Sequence, residues 1–434
     1  MDILLHGGMV YGSAQGDFVR ADIRIHEDRI VDISAEILPR AWEKVVDCTG
    51  KHILPGLIDA HVHFREPGAT HKEDFLSGSK AAAAGGVTTV LDMPNNSTPT
   101  TTRERLDEKR GLARVKSLVN YGFYILGCEE NANDLAEFED IAGIKVYLGS
   151  STGNYLTEDL GVFAIILQNA RRRVVVHAEN EGLLRFFAAK HRESQLYHKM
   201  RDNLCAAVSV AESTLMARHF AKPFHIAHLS TKEELALLRL FKTPLITCEV
   251  SPHHLFLNEE FFCARGAYGK MNPPLRYNTD QQALWDGIRE GLVDMIATDH
   301  APHTHDEKDT AVMEAPCGVP GVQTMLPLLL QAVHEGRLAL RDVVRLCALN
   351  PAKTFGLKDR GTIREGGYAD LCVVDLVAET IILNETQYSK CGWTPFHGLV
   401  TKGSVVMTVV NGSIVYHEGM FYEDVKGKEV EYDN

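Results

Sequence analysis

The feature that most constrains the fold is a series of eight short apolar runs, separated by stretches with helical patterning. This alternation is typical of repeated βα units, in which parallel strands are joined by helices. Eight such units close a (β/α)8 barrel, so we predict an α/β chain with this TIM barrel in its middle. The runs cover residues 57–63, 87–93, 119–127, 143–148, 173–178, 224–229, 244–249 and 293–299.

The stretches between the runs carry apolar residues at every third or fourth position, the spacing of an amphipathic helix. Helices are predicted in particular at 72–84, 212–221, 232–241 and 280–290.

Both chain ends have a different texture, with short alternating strands and turns. Asn411-Gly412 is a typical hairpin turn. We therefore expect the two ends to form one small β-sandwich, with domain limits at 1–54, 55–350 and 351–434. The acidic tail, 423–434, is expected to be a solvated end. Strands are predicted at 3–6, 9–11, 21–26 and 29–33, and again at 369–375, 405–411 and 413–416.

The composition limits the classes of partner that this chain is expected to bind. The 434 residues carry a formal net charge of -13, which disfavours nucleic acid. The nine cysteines contain no CxxC pair, which favours reduced thiols and a cytoplasmic location. The first ten residues lack a signal-peptide pattern, and long apolar runs are absent, so no membrane partner is expected. A small molecule is the expected partner, and a homodimer is one candidate assembly.

Polar side chains end nearly every apolar run, at the edge where barrel enzymes build their sites. His61 and His63 stand two apart on the first run and therefore point to the same side. Two neutral imidazoles converging in this way suit a divalent metal such as zinc. The alternative for the pair alone is two hydrogen-bonded core histidines.

Three further runs end in a candidate ligand: His177, His228 and Asp299. Each histidine taken singly fits a structural role better. A buried carboxylate, however, is costly unless it is paired or binds a metal, and the apolar run before Asp299 predicts burial. A metal site explains the three residues together with the HxH pair.

Lys145 occupies the same edge of the fourth run. An ammonium group cannot bind a cation, so a lysine at the centre must be neutral or modified. Reaction with CO2 would give a carbamate that can bridge two metals. The alternative is a lysine that extends to solvent from a strand end.

Two segments, DAHVHFREPG at 59–68 and ATDHAPH at 297–303, resemble the signature motifs of dihydroorotases, which belong to the amidohydrolase superfamily. The resemblance covers most of the barrel. It extends to 92–96 (DMPNN), 143–148, 248–256 (CEVSPHHLF), 272–276 (NPPLR) and 393–396 (WTPF).

The resemblance implies a centre of two Zn2+ ions per chain, bridged by carboxylated Lys145 and a hydroxide. Asp299 would be the catalytic proton acceptor and donor. The implied ligands are His61, His63, Lys145 and Asp299 for one zinc, and Lys145, His177 and His228 for the other. The mixed histidine and carboxylate set also accepts cobalt or manganese.

The resemblance also implies the substrate contacts. The substrate carboxylate would be bound by Arg65, Asn95 and His303, and the ring by Asn272, Cys317 and Gly318. The segment 149–155 (GSSTGNY) corresponds to a loop that can close over the substrate in relatives. The implied reaction is the reversible cyclisation of N-carbamoyl-L-aspartate to (S)-dihydroorotate in pyrimidine biosynthesis.

Hydantoinases, dihydropyrimidinases and allantoinases have the same kind of metal site and are the enzymatic alternatives. Arg65 distinguishes a dihydroorotase from these alternatives, because a substrate without a ring carboxylate leaves a buried guanidinium without a partner. Allantoinases usually have Asn at this position. A metal-free scaffold homologue is a further alternative, which the complete ligand set disfavours.

Overall fold

A computed structural model describes residues 2–13, 15–151 and 155–433 of the chain. The strands form an eight-stranded parallel sheet and a nine-stranded mixed sheet. In chain order they are β1 (Ile3–Gly12), β2 (Asp17–His26), β3 (Arg29–Ser34), β4 (Lys44–Asp47), β5 (His52–Pro55), β6 (Leu57–Val62), β7 (Val87–Asp92), β8 (Asn120–Leu126), β9 (Gly143–Tyr147), β10 (Val174–His177), β11 (Phe224–Ile226), β12 (Ile246–Val250), β13 (Met295–Ile296), β14 (Leu371–Ile381), β15 (Val400–Val410), β16 (Ser413–His417) and β17 (Met420–Phe421).

The parallel sheet contains β6 to β13 in sequential order, and each strand overlaps one of the eight apolar runs, with only β12 extending one residue beyond its run. The ends of the sheet meet where Val62 pairs with His300 and the His63 N–H donates to the His300 carbonyl at 2.8 Å. Asp59 strengthens this seam by accepting hydrogen bonds from the backbone N–H and hydroxyl of Thr298. The predicted (β/α)8 barrel is confirmed.

Side chains of the barrel strands alternate between its interior and the surrounding helices. In β10, Val175 packs among interior residues, whereas Val174 and Val176 pack in the layer shared with the helices. His177 is in phase with Val175 and is therefore directed into the barrel. The period of two thus carries the candidate ligand to the inner face.

Helices surround the barrel. In the described residues they are α1 (Phe75–Ala84), α2 (Arg103–Lys116), α3 (Leu160–Asn169), α4 (Glu181–Lys190), α5 (Tyr197–Met200), α6 (Asn203–His219), α7 (Lys232–Phe241), α8 (Pro252–Phe256), α9 (Glu259–Arg265), α10 (Asn278–Arg289), α11 (His305–Lys308), α12 (Met325–His334), α13 (Leu340–Val344) and α14 (Asn350–Phe355). A capping box of Thr231 and Glu234 sets the start of α7 at its predicted position. None of these helices has the length and apolar character required to cross a membrane.

The mixed sheet unites the chain ends, because β5 pairs with β1 on one side and with β14 on the other. The predicted β domain built from both ends is confirmed. The separate strands predicted at 3–6 and 9–11 are wrong, since both belong to β1. Gly7, at φ +75°, and Gly8 form an irregularity there without ending the strand.

The acidic tail is not a solvated end. Gly427 donates its N–H to Ser117, and Tyr121 exchanges backbone hydrogen bonds with Lys428 and Val430. Val430 is buried among interior barrel residues at the end opposite the candidate site. The sequence expectation is wrong here because the charged residues of the tail are interleaved with apolar residues that the barrel floor covers.

Candidate active site

The candidate ligands come together at the C-terminal ends of the barrel strands. One cavity is lined by His61, His63, Lys145, His177, His228 and Asp299. Each of these side chains is nearly inaccessible to solvent. A scatter of these residues around the barrel would have contradicted a metal site, and the structure places them together.

His61, His63 and Asp299 form the tightest group. Oδ1 of Asp299 lies 2.9 Å from His63 Nε2 and 3.3 Å from His61 Nε2. One ligand atom from each residue lies within 4.8 Å of the others, so the three can surround one cation. Burial alone would raise the pKa of Asp299, but His61 and His63 outweigh it and keep the carboxyl ionised.

His177 and His228 form a second group, with Nδ1 of His177 3.0 Å from Nε2 of His228. Two nitrogens bound to one zinc at about 2.0–2.1 Å in tetrahedral geometry stand only slightly further apart. Burial lowers the pKa of both imidazoles, and it lowers the pKa of His63 to about 3. The rings are therefore neutral at pH 7, the form in which imidazole binds metals.

Lys145 lines the same cavity as both groups and does not extend to solvent, since only 1% of the residue is exposed. Its Nζ has no hydrogen-bond partner among the described residues. Burial lowers the pKa of Lys145 to about 8, so a substantial fraction is a neutral amine near that pH. An unpartnered, nucleophilic amine beside four imidazoles fits a carbamate bridge, and the donor set as a whole fits a two-metal centre.

Two further groups, buried Glu249 and half-buried Asn95, contact the candidate ligands, a role that was not predicted from the sequence. Oε1 of Glu249 lies 2.5 Å from His61 Nδ1, and its other oxygen lies 2.9 Å from His225. Asn95 contacts His63 Nδ1 at 2.6 Å. Such contacts fix which nitrogen of each ring is left for a metal. Glu249 ends the seventh apolar run, and this position at a strand end could have indicated a place in the site.

Glu179 has the corresponding place behind His177, at 3.2 Å from Nε2. Two arginines compensate this buried carboxylate, Arg201 in direct contact and Arg276 at 3.7 Å. Glu179 follows His177 by two residues and therefore faces the same side of the chain.

Three site residues have a left-handed backbone that L side chains rarely adopt: Arg65 at φ +63°, His228 at +39° and Asp299 at +48°. All three stand just beyond the end of a barrel strand. Strain of this kind is retained where the surrounding structure imposes it, commonly at functional sites.

Arg65 forms one wall of the cavity. Its Nε donates to the Pro302 carbonyl at 3.2 Å, and Nη2 lies 3.2 Å from His303 Nε2. The guanidinium makes no ion pair with a carboxylate of the described residues. Asn95 lines the same cavity, whereas His303 stands behind Arg65. A buried cation without a carboxylate partner favours an anionic ligand.

Asn272, Cys317 and Gly318 also line the cavity. The Tyr197 hydroxyl donates to Asn272 Oδ1 at 2.5 Å and lies 3.2 Å from Cys317 Sγ. Tyr197 thereby fixes the Asn272 amide, a role that the sequence analysis did not assign. Within the loop at 149–155, Ser151 lines the cavity, whereas the prediction of closure falls partly on residues 152–154, which lie outside the described residues.

Residues 52–415 match the amidohydrolase family, and this span contains every candidate site residue; the chain therefore belongs to that family. It is a cyclic amide hydrolase.

The particular members that it resembles in sequence are dihydroorotases. The dihydroorotase of Halobacterium salinarum is 39% identical over 91% of this chain and 93% of the relative. That of Pyrococcus abyssi is 35% identical over 99% of this chain and 98% of the relative.

Among solved structures, the L-hydantoinase (dihydropyrimidinase) of Arthrobacter aurescens has a TM-score of 0.94 at 26% identity. A D-hydantoinase (dihydropyrimidinase) from a Thermus species has a TM-score of 0.90, also at 26% identity. Both alignments cover 99% of each chain.

Proposed function

We propose that this protein is a dihydroorotase, which interconverts N-carbamoyl-L-aspartate and (S)-dihydroorotate in pyrimidine biosynthesis. The observation that carries the proposal is Arg65, a buried guanidinium on the cavity wall without a carboxylate partner among the described residues. Dihydroorotate has a ring carboxylate that can neutralise it, whereas dihydrouracil and unsubstituted hydantoin do not. The sequence relatives named dihydroorotase support the same choice.

We assign one zinc to His61, His63 and Asp299, and a second to His177 and His228, with carboxylated Lys145 between them. When bound, the two metals would polarise the scissile carbonyl and lower the pKa of water toward about 7. The neutral imidazoles and the unpartnered Lys145 amine support this assignment.

The other steps, substrate binding and proton transfer, are assigned to residues of the chain. Arg65 and Asn95 bind the substrate carboxylate, and Asn272 and the backbone at 317–318 hold the ring. Asp299 stays ionised beside His61 and His63, so it can accept a proton from the attacking water. It passes this proton to the ring nitrogen as the amide C–N bond breaks. In the cyclisation direction, Asp299 removes a proton from the carbamoyl nitrogen.

The second candidate is a hydantoinase or dihydropyrimidinase, which the overall match to the Arthrobacter aurescens structure favours. This fold similarity does not separate a dihydroorotase from a hydantoinase, because the barrel and the kind of metal site are common to both. The substrate wall, rather than the fold, must decide between them.

The test is a parallel assay of purified, zinc-loaded protein with dihydroorotate, hydantoin, dihydrouracil and allantoin. We expect kcat/KM to be highest for dihydroorotate by at least about tenfold, the contribution of one charge-assisted contact. A preference for hydantoin or dihydrouracil would overturn the proposal.

The cysteines form no disulfide bond among the described residues. Their state agrees with the cytoplasmic location that we propose. Cell fractionation followed by immunodetection tests it.

A further inference from the structure

Two buried lysines lie beside the substrate cavity and have no part in the proposed reaction. Lys270 and Lys308 are 4% and 1% exposed. Neither forms an ion pair with a carboxylate in the part of the chain that the structure describes. A buried ammonium is costly unless its charge is compensated. The burial of these two lysines therefore requires a structural or functional explanation.

Lys308 binds backbone carbonyl groups from two separate segments. Its Nζ donates to the carbonyls of Ala267 at 3.0 Å, Lys270 at 3.3 Å and Pro316 at 2.9 Å. Burial lowers the pKa of Lys308 to about 7. Three acceptors nevertheless require three N–H donors, which only the ammonium form supplies.

Lys270 connects the same segments in the opposite direction. Its Nζ donates to the carbonyls of Met313 at 3.1 Å and Ala315 at 2.6 Å. Its own carbonyl accepts the N–H of Gly318 at 3.0 Å as well as the Lys308 ammonium. We call this reciprocal pair of side chains the lysine clasp.

Both clasped segments lead directly into the cavity wall. Asn272 follows Lys270 by two residues, and Cys317 and Gly318 follow Pro316. Gly318 has φ +133°, and a Cβ there would lie 2.6 Å from the Ala301 carbonyl oxygen. Residues 309–324 contain neither helix nor strand. The position of this wall therefore depends on contacts with other segments.

We propose that the lysine clasp positions the wall that holds the substrate ring, by fixing Asn272 and the backbone at 317–318 relative to each other. This inference rests on the proposed function and names two positioning residues for it. Charge-assisted hydrogen bonds suit the task because they are stronger than neutral ones. A displacement of this wall would lengthen its hydrogen bonds to the ring and so weaken substrate binding.

The test compares Lys308→Met and Lys270→Met, which remove the donors and retain an unbranched chain. Lys222→Met is the matched control, since Lys222 Nζ also donates to two carbonyls, Gln168 and Ala170, at the opposite end of the barrel. The readouts are KM and kcat for dihydroorotate, zinc per chain, and amide hydrogen exchange of residues 313–319 without substrate.

We expect either clasp variant to raise KM about tenfold and to change kcat less than about threefold, because binding to a misplaced wall is weakened throughout the reaction. Exchange at 313–319 is expected to accelerate, with zinc content unchanged. Lys308→Arg keeps cationic donors, so its KM should lie between those of the wild type and of Lys308→Met. Lys222→Met should match the wild type in all three readouts.

Unchanged KM and unchanged exchange in both clasp variants would overturn the proposal, and so would a loss of zinc equal to the loss of activity. Wild-type protein without activity on dihydroorotate would instead contradict the proposed function. The exchange measurement needs no substrate, so it still decides whether the clasp holds the wall.

Discussion

At the scale of single residues, we expect substrate choice to depend on the buried guanidinium of Arg65. Arg65→Lys keeps the charge but loses the planar pair of donors that matches a carboxylate. We expect kcat/KM for dihydroorotate to fall about tenfold to a hundredfold, as loss of a charge-assisted hydrogen bond predicts.

Steady-state kinetics with dihydroorotate measure this effect. Arg103→Lys is a suitable control, because Arg103 forms an exposed ion pair with Asp140 far from the cavity. Kinetics of Arg65→Lys equal to those of the control would remove Arg65 from the substrate site.

The proposed second metal site depends on Lys145. Lys145→Ala removes the proposed carbamate, so the remaining imidazoles lose the anionic bridge that compensates two cations. We expect zinc per chain to fall and activity to be lost. Metal analysis and intact mass, with a search for added CO2 in the wild type, check this result. A fully zinc-loaded Lys145→Ala protein would contradict the bridge.

Glu249 contacts His61 and does not line the cavity, so any effect of Glu249 on zinc would pass through His61. Glu249→Gln retains the shape but weakens the hold on His61 Nδ1, so we expect zinc affinity to fall about tenfold to a hundredfold. Competition with a chelating dye measures it.

Glu73→Gln is the matched control for this change, because buried Glu73 lies 3.3 Å from Nε2 of His300, a histidine that is not a candidate ligand. Equal zinc affinities in the two variants would show that Glu249 does not orient His61.

At the scale of elements, the short runs determined the barrel well. Each of the eight runs overlaps one barrel strand, and 232–241 was predicted to the residue as α7. The short strands β4, β5 and β17 were not predicted, because two to four residues carry no recognisable period. The domain limits at 54/55 and 350/351 stay a prediction.

The C-terminal tail is an element whose stability contribution can be tested. Val430 is buried in the barrel floor, so Val430→Asp places a charge there and removes apolar packing. We expect the free energy of unfolding to fall by roughly 2 kcal/mol or more, about the value of one buried aliphatic side chain.

Chemical denaturation checks this prediction, with exposed Glu431→Gln as the neighbouring control. The KM of the folded variant should not change, because the floor and the cavity lie at opposite ends of the barrel. Equal stability of the two variants would show that the tail contributes nothing to the fold.

At the scale of the whole molecule, metal and fold should be coupled. The cavity concentrates four buried imidazoles, a lysine amine and a carboxylate, and a bound cation would use these groups as ligands only in the folded chain. We expect chelation to lower the melting temperature and zinc to restore it, because a ligand that binds only the folded state stabilises it. An unchanged melting temperature in metal-free protein would contradict this coupling.

The homodimer stays a prediction, which sedimentation analysis can test.

The sequence by itself determined the strands of the barrel and the candidate ligands at their ends. Apolar period and length specify strands and helices locally, and candidate ligands at the run ends needed only the rule that parallel strands share an edge. The tertiary structure alone decided what stands behind those ligands. Most contacts of Glu249, Tyr197 and the lysine clasp join residues that are tens to hundreds of positions apart, and no local pattern encodes such contacts. The burial of Val430 was equally invisible, since an acidic tail and a barrel floor become complementary only when the chain is folded.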